Sequence, residues 1–277
     1  MPQTERTNNH ISRKKFIQNC SMSMVAIAAH PFVSKTISQN RSLTNLRTAG
    51  KILSLNENWL FGGKFNESIL KSGYKASTLE PINLPHCVTK LSWHEWDPSD
   101  WQNQWIYRKH FTRPSDTQEM RAFLHFEAVM VGATPIINGH PLPAHLGGYL
   151  PFSYEITDLI KDENELNVIV DSRWSNVPPE GADDGAKRID YLEPGGIHRS
   201  VNIAFVPRVF ISDVYAKPVN VLQSDRRVDV TFTIDAGTLP KSQLDLNIEL
   251  KRHNSVIAKV KKQCASCKKA YLPTKHR

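Results

Sequence analysis

The sequence predicts an all-β protein, with one β-sandwich followed by the beginning of a second. Three observations carry this expectation. Short segments alternate apolar and polar residues with a period of two, as half-buried strands do. Gly, Pro and Asn separate those segments at the intervals a sandwich requires. Helical periodicity is scarce from Asn56 onward.

The first clear strand is residues 104–111, where Trp105, Tyr107 and Phe111 alternate with polar neighbours. Residues 122–126 form a second strand. Residues 135–137 form a third, which runs into Asn138-Gly139, a hairpin turn because both residues tolerate positive φ. Residues 165–171 alternate again, followed by strands over 199–206 and 209–215. The Pro-rich interval 178–196 is too long and too polar for a simple hairpin, and long irregular loops on a sandwich carry binding or contact function. Within it Asp190 stands a short way before Gly195-Gly196, and the glycine pair opens into Ile197. Two glycines let the backbone turn sharply and approach another segment closely. That geometry suits a carboxylate held at the rim of a sheet; the alternative is a plain turn leading into a strand.

After Lys217-Pro218 the texture changes. Residues 227–234 and 244–250 alternate cleanly, as the first strands of an immunoglobulin-like sandwich would, with the boundary near Pro218. Such a domain needs about 100 residues, and 60 follow (218–277). The expected organisation is therefore a first sandwich over 51–217, a partial second sandwich over 218–260, and a basic tail over 261–277 outside the fold, non-native or disordered.

Charge narrows the function classes. The formal charge is +8, but residues 1–50 hold seven Lys/Arg against one acid and residues 251–277 hold nine against none. Residues 51–250 carry 19 bases against 26 acids, a net of −7. A body that neutralised phosphates would present a basic face, so no nucleic-acid partner is expected. Arg13, Lys14 and Lys15 precede the mostly apolar run 16–33, with Ala26-Ile27-Ala28 as a small-residue cleavage candidate. This is the order of a secretory signal over 1–33, followed by a Ser/Thr/Asn-rich linker over 34–50; a buried amphipathic helix is the alternative. Residues 12–17 also resemble the twin-arginine export motif, with Lys14 at the second arginine, which leaves Tat and Sec export both open. A periplasmic or secreted location follows, with no membrane contact beyond the signal.

Of four cysteines, Cys20 lies in the signal segment and Cys87 stands alone in the body, so no disulfide framework is expected. Cys264 and Cys267 form a C-x-x-C, half a zinc site at most. With His86, His94 and His145 scattered along loops, no metal and no cofactor is expected. Trp93, Trp96, Trp101 and Trp105 suit either a sugar-stacking platform or a core; Trp105, on its strand, is read as core.

Taken in order, these segments resemble glycoside hydrolase family 2, the β-galactosidase and β-glucuronidase family. Residues 105–111 are similar to its W-Y-R-R-x-F strand. Asn138-Gly139, His145 to Phe152 and Ile156-Thr157 match N-G…H-x-G-G-Y-x-P-F…D-I-T, with Glu155 in place of Asp. Residues 165–171 match N-x-L-x-V-x-V-D, and residues 190–199 match the segment in which an acid and an aromatic precede G-G-I-x-R. The set spans about residues 56–217.

The resemblance implies a galactose-binding-like jelly roll, then an immunoglobulin-like domain, then a (β/α)8 catalytic barrel bearing two glutamates. Retaining chemistry of that kind needs two carboxyls about 5–5.5 Å apart. Nothing in this sequence corresponds to the barrel: Glu163 and Glu165, like Asp183 and Asp184, read as loop acids. No catalytic residue is assigned, and the chain alone is expected to be inactive. The one residue carried over is Asp190, which by resemblance reaches toward the non-reducing-end sugar; its alternative is a loop cap or a pair with Lys187 or Arg188. The implied partner is carbohydrate, a β-glycoside or a plant or host glycan, with oligomeric state left open. A free-standing carbohydrate-binding module and a degraded gene remnant are the competing readings.

Overall fold

The structure, a computed structural model, describes residues 50–71, 78–90, 97–173, 194–237, 244–264 and 269–273. Strands β1 (Lys51–Ser54), β2 (Trp59–Lys64), β3 (Glu80–Ile82), β4 (His86–Cys87) and β5 (Gln104–Thr112) lead into β6 (Arg121–Phe126) and β7 (Gly132–Ile137). The short β8 (His140–Pro141) and β9 (His145–Leu146) precede β10 (Phe152–Glu155), β11 (Glu163–Asp171), β12 (Gly196–Ile197) and β13 (Val201–Val206). Then come β14 (Phe210–Val219), β15 (Arg227–Asp235), β16 (Leu244–Arg252), β17 (Ser255–Cys264) and β18 (Lys269–Pro273).

The first sandwich has a four-stranded sheet in the order β1-β13-β6-β10 and a larger sheet in the order β3-β2-β5-β11-β7-β8, with β9 also on β7. All pairings are antiparallel, and β5 lies against β11 over nine residues, from Thr112 opposite Glu163 to Gln104 opposite Asp171. The period of two decides what lies between the sheets. Trp105, Tyr107 and Phe111 of β5 and Leu166, Val168 and Val170 of β11 meet Leu124, Phe126, Phe152, Ile203 and Phe205 in one core. Phe126 and Phe152 stack with centroids 4.9 Å apart. Burying each such side chain contributes about 1.5–3 kcal/mol relative to exposure, which is why aromatic strands close this fold without a disulfide.

The Asn138-Gly139 turn has the expected left-handed backbone, with φ of 49° and 82°. Its asparagine does more than turn. Asn138 Nδ2 donates to Leu159 O at 2.8 Å and to Asn164 Oδ1 at 2.9 Å, and Asn138 Oδ1 accepts from Glu165 N at 3.0 Å. Buried Asn164 in turn closes its own turn, accepting from Lys161 N at 2.8 Å and donating to Lys161 O at 2.7 Å. The β7–β8 hairpin is thereby pinned to the start of β11.

Three expectations are corrected. Glu163 and Glu165, expected as loop acids, both lie on β11, which begins two residues before the predicted strand over 165–171, and Glu165 stands 3.5 Å from buried Arg108. The strand at 210–219 belongs to the second sandwich, since β14 pairs with β15 from Phe210 to Val219. Pro218 therefore sits inside a strand; β14 is an edge strand, where a residue without an N–H is tolerated. The two sandwiches are joined by residues 207–209. Part of the basic tail is also within the fold: β17 runs on to Cys264, and β18 pairs with β15 from Thr231 to Arg227. The Lys-rich composition of the tail concealed these strands.

The second sandwich packs a sheet ordered β14-β15-β18 against the β16–β17 hairpin. Its small core is Phe232 and Leu246 with Ile234 and Ile248. Asn164→Ala should lower the urea-unfolding free energy by about 1–3 kcal/mol, because Lys161 and Asn138 lose buried partners. An Asn164→Ala midpoint equal to that of the unsubstituted chain would contradict this account of the turn.

Candidate functional site

The candidate site is the end of the first sandwich where the interval before Gly195-Gly196 leaves and rejoins the sheets. The departing side is anchored at Ser172. Its hydroxyl accepts from Trp105 Nε1 at 2.8 Å, donates to Trp101 O, and lies 3.0 Å from Asn103 O. Ser172 N also donates to Asn103 O at 3.0 Å. Just before it, Asp171 accepts from Arg173 Nε and Nη2 at 2.9 and 2.5 Å and from Gln104 Nε2 at 3.2 Å. Burial raises the Asp171 carboxyl, but the Arg173 and Gln104 hydrogen bonds outweigh it and hold the group below the usual range.

The returning side is anchored by backbone. Val88 N donates to Gly195 O at 3.0 Å, and Met130 and Gly196 exchange N–H···O bonds of 2.9 and 3.1 Å. The two sides touch: a Cβ on Gly195 would lie 2.3 Å from Ser172 Cβ, and one on Gly196 would lie 2.3 Å from His86 O. Gly196 has φ of 138°, which side-chain-bearing residues rarely adopt. So the glycine pair is a place where three segments pass with no room for a side chain.

The anticipated residues fall out as follows. Asp190, Trp93, Trp96 and His94 lie outside the described residues, as do Asp183, Asp184, Lys187, Arg188 and Cys267. The two ends of the interval that carries Asp190 are at Ser172 and Gly195, in contact with each other. Trp105 and Trp101 are buried, 6% and 1% exposed, so neither offers a face to a sugar. His86 and His145 are not plain loop histidines. His86, on β4, bonds Tyr107 Oη through Nδ1 at 2.8 Å, and His145, on β9, stacks on Phe152 with centroids 3.9 Å apart. Burial lowers the pKa of both. Burial likewise pushes the Tyr107 hydroxyl up, so it stays protonated as a hydrogen-bonding group.

Sequence reasoning passed over two arrangements. His125 Nδ1 and Ser153 Oγ are 2.7 Å apart, but the residues are 2% and 3% exposed, so no substrate reaches this His–Ser pair and it serves the sheet. Leu146, Tyr149 and Leu150 are exposed at 59%, 57% and 68% in the glycine-rich turn beside β9. Their signal was present in the H-x-G-G-Y-x-P-F stretch, which periodicity does not interpret. Among the described residues no three His, Cys, Asp or Glu are grouped to hold a metal, and no helix is long and apolar enough to cross a membrane.

A jelly-roll-like sandwich whose loops gather at one end is the class of a galactose-binding-like domain. Comparison with known proteins agrees: residues 90–205 match the glycosyl hydrolase 2 galactose-binding domain-like family. The chain is 32% identical over 187 residues to a β-galactosidase of Thermoanaerobacter pseudethanolicus, covering 66% of this chain and 24% of that protein. It is 31% identical over 189 residues to a β-galactosidase of Thermoanaerobacterium thermosulfurigenes, covering 67% and 26%. The fold resembles the crystal structure of a Bacteroides uniformis β-glucuronidase, with a TM-score of 0.65, 21% identity, and coverage of 81% of this chain and 28% of that one. The chain thus carries the galactose-binding-like domain of glycoside hydrolase family 2, and it spans about a quarter of the length of the curated relatives it matches.

Two predictions concern this end. Gly196→Ala should destabilise the chain by more than about 1 kcal/mol beyond Gly139→Ala, because both have positive φ but only Gly196 meets backbone atoms; equal thermal midpoints would contradict it. The depressed histidines set a pH dependence. The unfolded chain binds protons at its ordinary histidine value of 6.5 while the folded chain resists them. Stability is therefore complete above 6.5 and falls as pH drops toward the lowered folded values. His145→Phe, which retains stacking on Phe152, should flatten that slope in urea titrations between pH 7 and 5; an unchanged slope would contradict the assignment to His145.

Proposed function

We propose that this chain serves glycoside hydrolysis as the sugar-binding N-terminal part of a family 2 β-glycosidase, and that these 277 residues do not cleave the glycosidic bond themselves. The observation that carries the reading is the match of residues 90–205 to the family's galactose-binding-like domain, on a fold whose loop ends are built for close passage. Supporting it, the partnered carboxylates among the described residues serve structure: Glu155 and Asp235 bond Arg121, Asp171 bonds Arg173, and Glu249 bonds Lys259. Cleavage by the retaining route requires two carboxyls free to meet a sugar. Asp190 is proposed as the contact to the sugar, since a carboxylate accepts two hydroxyl hydrogens in charge-assisted bonds. Export to the periplasm or beyond is proposed from the basic-then-apolar order of residues 13–33.

The test pairs two measurements on the chain. Incubation with nitrophenyl β-galactoside and β-glucuronide should give no turnover, and calorimetry with the same sugars should give weak binding that Asp190→Ala reduces roughly tenfold. Hydrolysis at a stoichiometric active-site titre would overturn the non-catalytic role. Binding unchanged in Asp190→Ala would overturn the role given to that residue.

A further inference from the structure

A charge-paired cluster crosses the junction between the sandwiches. Arg121 on β6 donates from Nε and Nη2 to the two carboxylate oxygens of Glu155 on β10, at 2.9 and 2.8 Å. Its remaining terminal nitrogen, Nη1, donates to Asp235 Oδ1 at the end of β15, at 2.9 Å. The guanidinium lies 5.1 Å from the ring centre of Phe123 and 5.4 Å from that of Phe210, and the two rings meet edge to face. Glu155, Arg121 and Phe123 belong to the first sandwich; Asp235 and Phe210 belong to the second. Both Arg121 and Asp235 side chains are about nine-tenths buried, at 10% and 12% exposure.

The cluster explains a departure from alternation. In β6 all six residues are buried. Ala122, Leu124 and Phe126 face the core between the sheets, so Arg121, Phe123 and His125 point to the outer side of the four-stranded sheet. There Phe123 joins Ala204, Val206 and Phe210 in a separate apolar cluster, with Ile52 at its margin. The second sandwich thus covers the outer face of the first, and Arg121 stands at the edge of the covered patch.

We infer that Arg121 is an interdomain latch: its simultaneous pairing with Glu155 and Asp235 fixes the second sandwich against the first. The covalent joint is residues 207–209, and three linking residues do not by themselves fix an angle. Another ion pair at the junction, from Arg208 in the joint to Glu119, is 60% and 86% exposed and contributes little. A fork-shaped guanidinium that fills one carboxylate bidentately and still has a donor to spare is suited to the task; a lysine is not. Among the described residues, the charged groups facing the latch are Glu155 from β10 and Asp235 from β15. Thr157 Oγ1 donates to Glu155 Oε1 at 3.0 Å and Gly237 N donates to Asp235 Oδ1 at 2.9 Å, which hold each carboxylate toward the arginine. Burial raises the Glu155 carboxyl, but the bonds from Arg121 prevail and keep it below its ordinary value.

The six tryptophans all precede residue 175, so tryptophan emission reports the first sandwich alone while far-ultraviolet circular dichroism reports both. In the unsubstituted chain the two thermal transitions should coincide. Asp235→Asn keeps the oxygen that Gly237 N–H needs but removes the charge that Arg121 needs. It should lower the dichroism midpoint by at least about 5 °C while leaving the tryptophan midpoint nearly in place. Asp235→Glu should restore most of the coincidence, and Glu119→Gln should leave both signals unchanged. Coincident transitions in Asp235→Asn at the original midpoint would overturn the latch. Two separated transitions in the unsubstituted chain, or loss of native tryptophan emission in Asp235→Asn, would overturn it equally.

Discussion

The passage of three chain segments at Gly195 and Gly196 constrains the rest of the first sandwich. Ser172 arrives from β11, His86 from β4, and Met130 from the turn before β7, all within van der Waals or hydrogen-bonding distance of a two-glycine return. No side chain fits between them. The strands that deliver these segments must therefore end at fixed heights, and the nine-residue register of β5 on β11 is what sets those heights. A one-residue slip would turn Trp105, Tyr107 and Phe111 outward, and would also remove the Trp105 bond to Ser172. Core packing and loop placement are the same constraint seen from two sides.

Several residues of the family motifs acquire a physical reason in this light. Trp105 fills the core and, through Nε1, holds the point where the candidate loop departs. Tyr107 bonds His86 beside the point where it returns. Asn138 supplies left-handed backbone and three hydrogen bonds to the β11 side of the sheet. His145 stacks on Phe152 and so carries the glycine-rich turn with its exposed Tyr149. Glu155, which replaces the family's aspartate, occupies the bidentate site on Arg121.

Much of this was legible in the sequence, for a physical reason. Strands with one face buried leave a period-two pattern, so β5, β11, β15 and β16 could be read directly, and Asn138-Gly139 announced its turn. Strands buried on one side by short segments left no such trace. In β2 the pattern is broken by Gly62-Gly63, and β12 has two residues, too few to show a period. Pro218 looks like punctuation in the sequence, whereas the edge strand β14 accepts it. The latch was not legible at all: Arg121 and Asp235 are 114 residues apart, and no local pattern connects them. The candidate loop was found through glycine chemistry, and its acid through resemblance.

The central claim is that the loop end of the first sandwich receives a sugar. The most direct test is nuclear magnetic resonance of the uniformly nitrogen-15-labelled chain titrated with a methyl β-galactoside and, separately, a methyl β-glucuronide. The account predicts amide shifts concentrated at Asp171–Arg173, Pro194–Ile197 and His145–Tyr149, with β14 to β18 unmoved. Shifts confined to the second sandwich, or none with either sugar at millimolar concentration, would contradict it.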